Sequence, residues 1–67
     1  MNVFEREVLA ELITHPNLSY GQLQVEFGPV VYHELKELRR LGYVQVRKED
    51  ERYEGTEAGE RALRGEE

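Results

Sequence analysis

Apolar side chains in the opening stretch return at spacings of three to five residues: Phe4, Val8, Leu9, Leu12 and Ile13, with Glu5, Arg6, Glu7 and Glu11 on the remaining positions. An apolar stripe of that period marks an amphipathic helix. Asn2 with Glu5 three residues on forms a reciprocal N-terminal cap. His15-Pro16-Asn17 closes the segment, because proline disfavours helical geometry in the residue before it. The pattern predicts a first helix over about 3–14.

A second helix over about 19–27 begins with several agreeing features. Ser19 caps, Gln22 reaches back from the third position, and Leu18 is placed to staple against Leu23. Leu23 and Phe27 share a face, and Gly28 ends the segment. Gly21 either admits a close neighbour or is merely tolerated, at up to about 1 kcal/mol relative to alanine. Gly28-Pro29 then works as a stop and a start, since glycine suits a helix end and proline the first position of the next helix. Over about 29–41 Val31, Leu35 and Leu38 form an inward seam flanked by Tyr32 and Leu41. At about 100° per residue, Val30, His33, Lys36, Glu37 and Arg40 occupy the opposite face. Arg39 and Arg40 complement the helix C-terminus, and Gly42 terminates it.

At Tyr43 the period changes to two. Val44 and Val46 share one strand face, Lys48 to Glu51 is a polar turn, and Arg52-Tyr53-Glu54 reads as the return strand, so that a β-hairpin spans about 43–54. Thr56 caps a tail helix over about 57–64 carrying Ala58, Ala62 and Leu63, and Gly65-Glu66-Glu67 reads as a fraying end.

Three helices followed by a hairpin predict an α+β fold in one domain, because a lone two-stranded hairpin is marginal in water and must lean on the helices. The order is that of a winged helix-turn-helix. The segment Leu35-Lys36-Glu37-Leu38-Arg39-Arg40-Leu41-Gly42-Tyr43-Val44 resembles the L-x-x-L-x-x-x-G-hydrophobic-hydrophobic run between recognition helix and wing in MarR-like and PadR-like transcriptional regulators. Tyr53-Glu54-Gly55-Thr56-Glu57-Ala58-Gly59 is similar to the Y-x-L-T-x-x-G that closes their wing, and Val31-Tyr32 resembles the LY pair of PadR recognition helices. The resemblance covers residues 18–63 and implies a helix over 29–41 that enters a DNA major groove. The chain departs from the pattern in three places. The stretch from Gly28 to Leu35 is shorter than usual, Gly28-Pro29-Val30-Val31 replaces a Ser/Thr-rich entry, and Gly55 stands where an apolar residue is customary.

Charge changes this picture. The 67 residues carry 9 Lys+Arg against 14 Asp+Glu, a net of −5, and an acidic body repels phosphate. Between residues 36 and 52, however, Lys36, Arg39, Arg40, Arg47, Lys48 and Arg52 face only Glu37, Glu49, Asp50 and Glu51, a local net of +2. The expected DNA contacts are Val30, His33, Lys36 and Arg40 from the third helix and Arg47, Lys48 and Arg52 from the wing, opposed by an acidic tip at Glu49-Asp50-Glu51. The alternative is a winged helix that docks a protein partner without DNA, which the acidic balance and the tip favour. A homodimer is expected for an operator reader of this size, through the first helix or the tail. Tyr20, Tyr32, Tyr43 and Tyr53 are expected as partly buried edges of the core, with Tyr43, on the strand face opposite Val44 and Val46, partly wet.

Other chemistry drops out. No cysteine is present, so no disulfide or thiolate metal site forms, and His15 and His33 are too isolated for a zinc set. No nucleophile motif or phosphate-cradling glycine loop occurs, and so small a body has little room for a catalytic cleft; neither enzyme activity nor a cofactor is expected. No apolar run approaches a membrane span, and the charged start is unlike a signal peptide, so a cytoplasmic protein with no membrane partner is expected.

Overall fold

A computed structural model describes residues 1–65. The elements run α1 (Val3–Thr14), α2 (Tyr20–Phe27), α3 (Val31–Arg40), β1 (Val44–Val46), β2 (Tyr53–Gly55) and α4 (Glu57–Leu63). Glu66 and Glu67, expected to fray, lie outside the described residues.

Both capping boxes form. The Glu5 N–H donates to Asn2 Oδ1 at 2.8 Å and the Asn2 N–H to Glu5 Oε1 at 2.9 Å. The Gln22 N–H donates to Ser19 Oγ at 3.2 Å and the Ser19 N–H to Gln22 Oε1 at 2.8 Å. Each pair satisfies two donors that a helix start would otherwise leave orphaned. At Gly21 a methyl group would meet nothing nearer than Ser19 Oγ at 3.9 Å, so this glycine is tolerated rather than required.

α3 begins two residues later than the sequence suggests. Val30 offers no side-chain acceptor, so no cap hydrogen bond forms there. Instead the N–H groups of Val31, Tyr32 and His33 donate three residues back, to Gly28, Pro29 and Val30. Pro29 and Val30 therefore belong to a tight turn, and Val30, expected on the helix, is its flanking residue. The other end is a Schellman arrangement: Tyr43 N–H donates to Leu38 O at 2.9 Å and Gly42 N–H to Arg39 O at 3.0 Å, with Gly42 at φ 81°. Glycine takes that left-handed conformation without a Cβ penalty, which turns the chain sharply into β1.

β1 and β2 pair antiparallel, Val44 opposite Gly55 and Val46 opposite Tyr53. The return strand is one residue later than the sequence suggests, because the Arg52 N–H donates to Asp50 Oδ1 and the Arg47 carbonyl accepts from Glu51 N–H, which leaves the Arg47–Arg52 pair with one cross-strand bond instead of two. The hairpin also has a third partner. Tyr53 N–H donates to Leu18 O at 2.8 Å and Asn17 N–H to Tyr53 O at 3.0 Å, an isolated bridge that fastens β2 to the α1–α2 connection. Thr56 joins both ends of the hairpin to α4: its hydroxyl donates to Gly42 O at 2.7 Å and accepts from Gly59 N–H at 3.1 Å.

The core consists of Val8, Leu9, Leu12, Leu23, Val31, Leu35, Leu38 and Val44. Phe4, Ile13, Leu18, Tyr20, Phe27, Tyr43, Tyr53 and Leu63 pack around it, with Phe4 and Phe27 edge to face at 5.9 Å. α1 lies against α3, β2 and α4, while α2 closes the side of α3. Three helices, a two-stranded wing and a short closing helix give an α+β domain with the layout of a winged helix.

Candidate nucleic-acid interface

With Val31, Leu35 and Leu38 turned into the core, helical periodicity aims the opposite face of α3 outward. Tyr32, His33, Lys36, Arg39 and Arg40 are all exposed there. His33, Lys36 and Arg40, expected on one face, do share it, and Val30 stands exposed at its entry. The Tyr32 and His33 rings meet edge to face at 5.6 Å.

The cations on this face are not equivalent. Arg40 is clasped by its own helix: Nε and Nη2 each donate to a Glu37 carboxylate oxygen at 2.7 Å. That bidentate pairing holds the Glu37 carboxyl below its ordinary value and raises the Arg40 guanidinium. Lys36 and Arg39 have no carboxylate within 4.0 Å among the described residues. They are the free positive charges of α3.

The wing cations behave differently from expectation. Arg47 donates to both oxygens of Asp50, at 3.3 and 2.7 Å. Arg52 folds back onto the start of α2, donating to Asn17 O at 2.8 Å and Gln22 Oε1 at 3.3 Å, and sits 4.0 Å from Asp50. Desolvation would raise the Asp50 carboxyl, but the Arg52 N–H and the Arg47 guanidinium outweigh it and hold the group below its usual value. Arg47 and Arg52 thus serve the turn. Lys48 is the wing's one exposed cation without an ion pair among the described residues, and Glu49, Asp50 and Glu51 surround it. Of the seven expected contacts, the α3 set converges on one face, whereas the wing set does not join it.

Between α3 and the wing runs an open groove of about 410 Å³ lined by Tyr32, Leu35, Lys36, Arg39, Arg40 and Tyr53. Leu35 is its floor, and the two tyrosines and two free cations are its walls. Tyr53 is half-buried, and desolvation raises its phenol above the ordinary value, with the nearby Arg39 charge opposing. Arg39, counted in the local basic excess, is outside the expected DNA contacts, and so are Tyr32 and Tyr53. Positions 32, 36 and 39 lie on one stripe at helical spacing, which would have found two of the three. Tyr43 packs on the edge of the core and stays partly exposed, as expected, while Tyr32 is the more open tyrosine at 53%. β1 begins after the Schellman turn, so Tyr43 belongs to the bend rather than to an outward strand face.

Among the described residues no His/Asp/Glu group is arranged to hold a metal ion, and no helix is long and apolar enough to cross a membrane. The chain matches no family model, no curated protein and no solved structure. Its class is set by architecture alone: a winged-helix domain with a cationic, tyrosine-walled groove beside its third helix.

Proposed function

We propose that this protein binds DNA as a small cytoplasmic transcriptional regulator of the MarR-like or PadR-like kind, with α3 toward the duplex and the hairpin as its wing. The observation that carries the reading is the exposure of Lys36 and Arg39, with no carboxylate among the described residues within 4.0 Å of either, on the face of α3 turned away from the core. Phosphate needs such charges, and contacts to it position a recognition helix in the groove. A homodimer would place two copies of α3 about one helical turn apart on a palindromic site.

The test is a salt series on a DNA duplex. With Lys36 and Arg39 at phosphates, the logarithm of affinity falls against the logarithm of salt with a slope of about −2 per copy of the chain. Lys36→Ala with Arg39→Ala lowers affinity and flattens that slope; unchanged affinity removes the site assignment. No retention of duplex at low salt removes the DNA reading. The second reading, a module that docks a protein, is favoured by one observation: Asp50 engages Arg47 and Arg52, leaving Lys48 at the tip between Glu49 and Glu51, a net of −1 there. In that case a basic partner is retained and DNA is not.

A further inference from the structure

α3 carries no Asn, Gln, Ser or Thr, the side chains that, besides arginine and lysine, make the common hydrogen bonds to base edges in a major groove. Of its two arginines, Arg40 is already engaged by Glu37. The groove offers a different chemistry. Its lining holds the exposed Tyr32 and the half-buried Tyr53, together with Lys36, Arg39, the Glu37-paired Arg40 and Leu35. Aromatic faces flanked by free cations are what a single-stranded nucleotide uses, since its base has an open π-face and its phosphate a charge. A base pair inside a duplex has neither face available. The volume of about 410 Å³ falls in the range that holds one small-molecule-sized group.

We propose that the groove between α3 and the wing receives an unpaired nucleotide, its base against Tyr32 and its phosphate on Lys36 and Arg39, so that the preferred nucleic acid is a duplex with an unpaired end. The proposal rests on the nucleic-acid reading above and narrows it. Tyr53 closes the site from the wing side, where the Leu18 bridge holds its backbone in place. Tyr32 is the side chain to vary, because at 53% exposure its replacement leaves the core intact.

The experiment compares a blunt duplex with the same duplex bearing a short unpaired extension, with 2-aminopurine at the first unpaired position, against the full chain and its Tyr32→Leu and Tyr32→Phe variants. The expected result is binding of the extended duplex at least about five-fold tighter than the blunt one, with 2-aminopurine fluorescence quenched by stacking. Tyr32→Leu should abolish both the preference and the quench, and Tyr32→Phe should keep both. Equal, salt-dependent affinity for the two duplexes overturns the nucleotide site and leaves the duplex reading standing. So does a quench that survives in Tyr32→Leu. No binding in either arm takes down both.

Discussion

Gly55 lies where an added Cβ would come within 2.6 Å of Ile13 Cγ1. The resemblance to regulators with an apolar residue at this position had made the glycine look anomalous. The cause is in α1: Ile13 fills from one side the space that a side chain on the strand would fill from the other. Gly55→Ala therefore overpacks a tight contact and should cost about 1–3 kcal/mol, read from a denaturant midpoint. Combining it with Ile13→Ala should cost less than the two single changes added together, because the smaller neighbour makes room. Strict additivity would show that the two positions do not share that space. Gly59 is still more constrained, since its Cβ would run into the Tyr43 carbonyl, which cannot rotate away. At Glu37 the interest is charge rather than volume. Glu37→Gln releases Arg40 and removes a negative charge beside the phosphate path, so DNA affinity should rise by up to about five-fold, the value of one unit charge at contact distance in water. The pair is well exposed, so stability should change little. Unaltered affinity would mean that Arg40 stays off the phosphates.

α1 and α2 meet through a pair of acids. Desolvation raises the Glu26 carboxyl above its ordinary 4.5, and the neighbouring Glu11 carboxylate, which also hydrogen-bonds to it, raises it further, with the His15 charge opposing. A raised folded-state value means that the contribution of Glu26 to stability is fully present below pH 4.5 and is lost as pH rises through the folded value. Glu26→Gln should then raise the thermal midpoint at pH 7 and leave it unchanged near pH 3. An equal gain at both pH values would deny the repulsion. Asp50 and Glu37 act in the opposite sense. Their values are lowered, so what they contribute is present above their unfolded values of 3.8 and 4.5 and is lost as pH falls through the folded ones. The wing turn, where Asp50 also accepts from the Arg52 backbone, should accordingly loosen before the helices in acid, read from amide exchange at residues 47–52.

The molecule as a whole carries −5, and its radius of gyration is 10.7 Å, close to the roughly 11 Å of a compact chain this long. On so small a body every charge lies within a few Debye lengths of the α3 face, so the acidic excess opposes DNA most at low salt. Replacing Glu49 and Glu51 at the wing tip by glutamine should increase DNA affinity a few-fold at low salt, fading as salt rises, with no change in the unfolding midpoint. No increase at any salt would place the tip away from the duplex.

The elements were legible in the sequence because their causes are local. The Asn2–Glu5 and Ser19–Gln22 boxes, the Gly42 stop, the Thr56 cap and the inward seam of Val31, Leu35 and Leu38 are settled within one or two helical turns, where side chains and backbone meet whatever the rest of the chain does. The larger slip in a boundary came where a cap was missing, at Val30; elsewhere ends moved by a single residue, as at Tyr43, taken by the Schellman turn, and at Arg52, whose N–H the Asp50 side chain claims. The site was half legible. Periodicity alone placed His33, Lys36 and Arg40 on an outward face, but it could not say which cations stay free. Arg47 looked available until the turn brought Asp50 to it, and Arg52 until folding laid it across Asn17 and Gln22. The bridge from Leu18 to Tyr53, the contact between Ile13 and Gly55 and the groove with its two tyrosines join segments far apart in sequence. Those proximities arise from burying a shared core, and only the tertiary structure decides them.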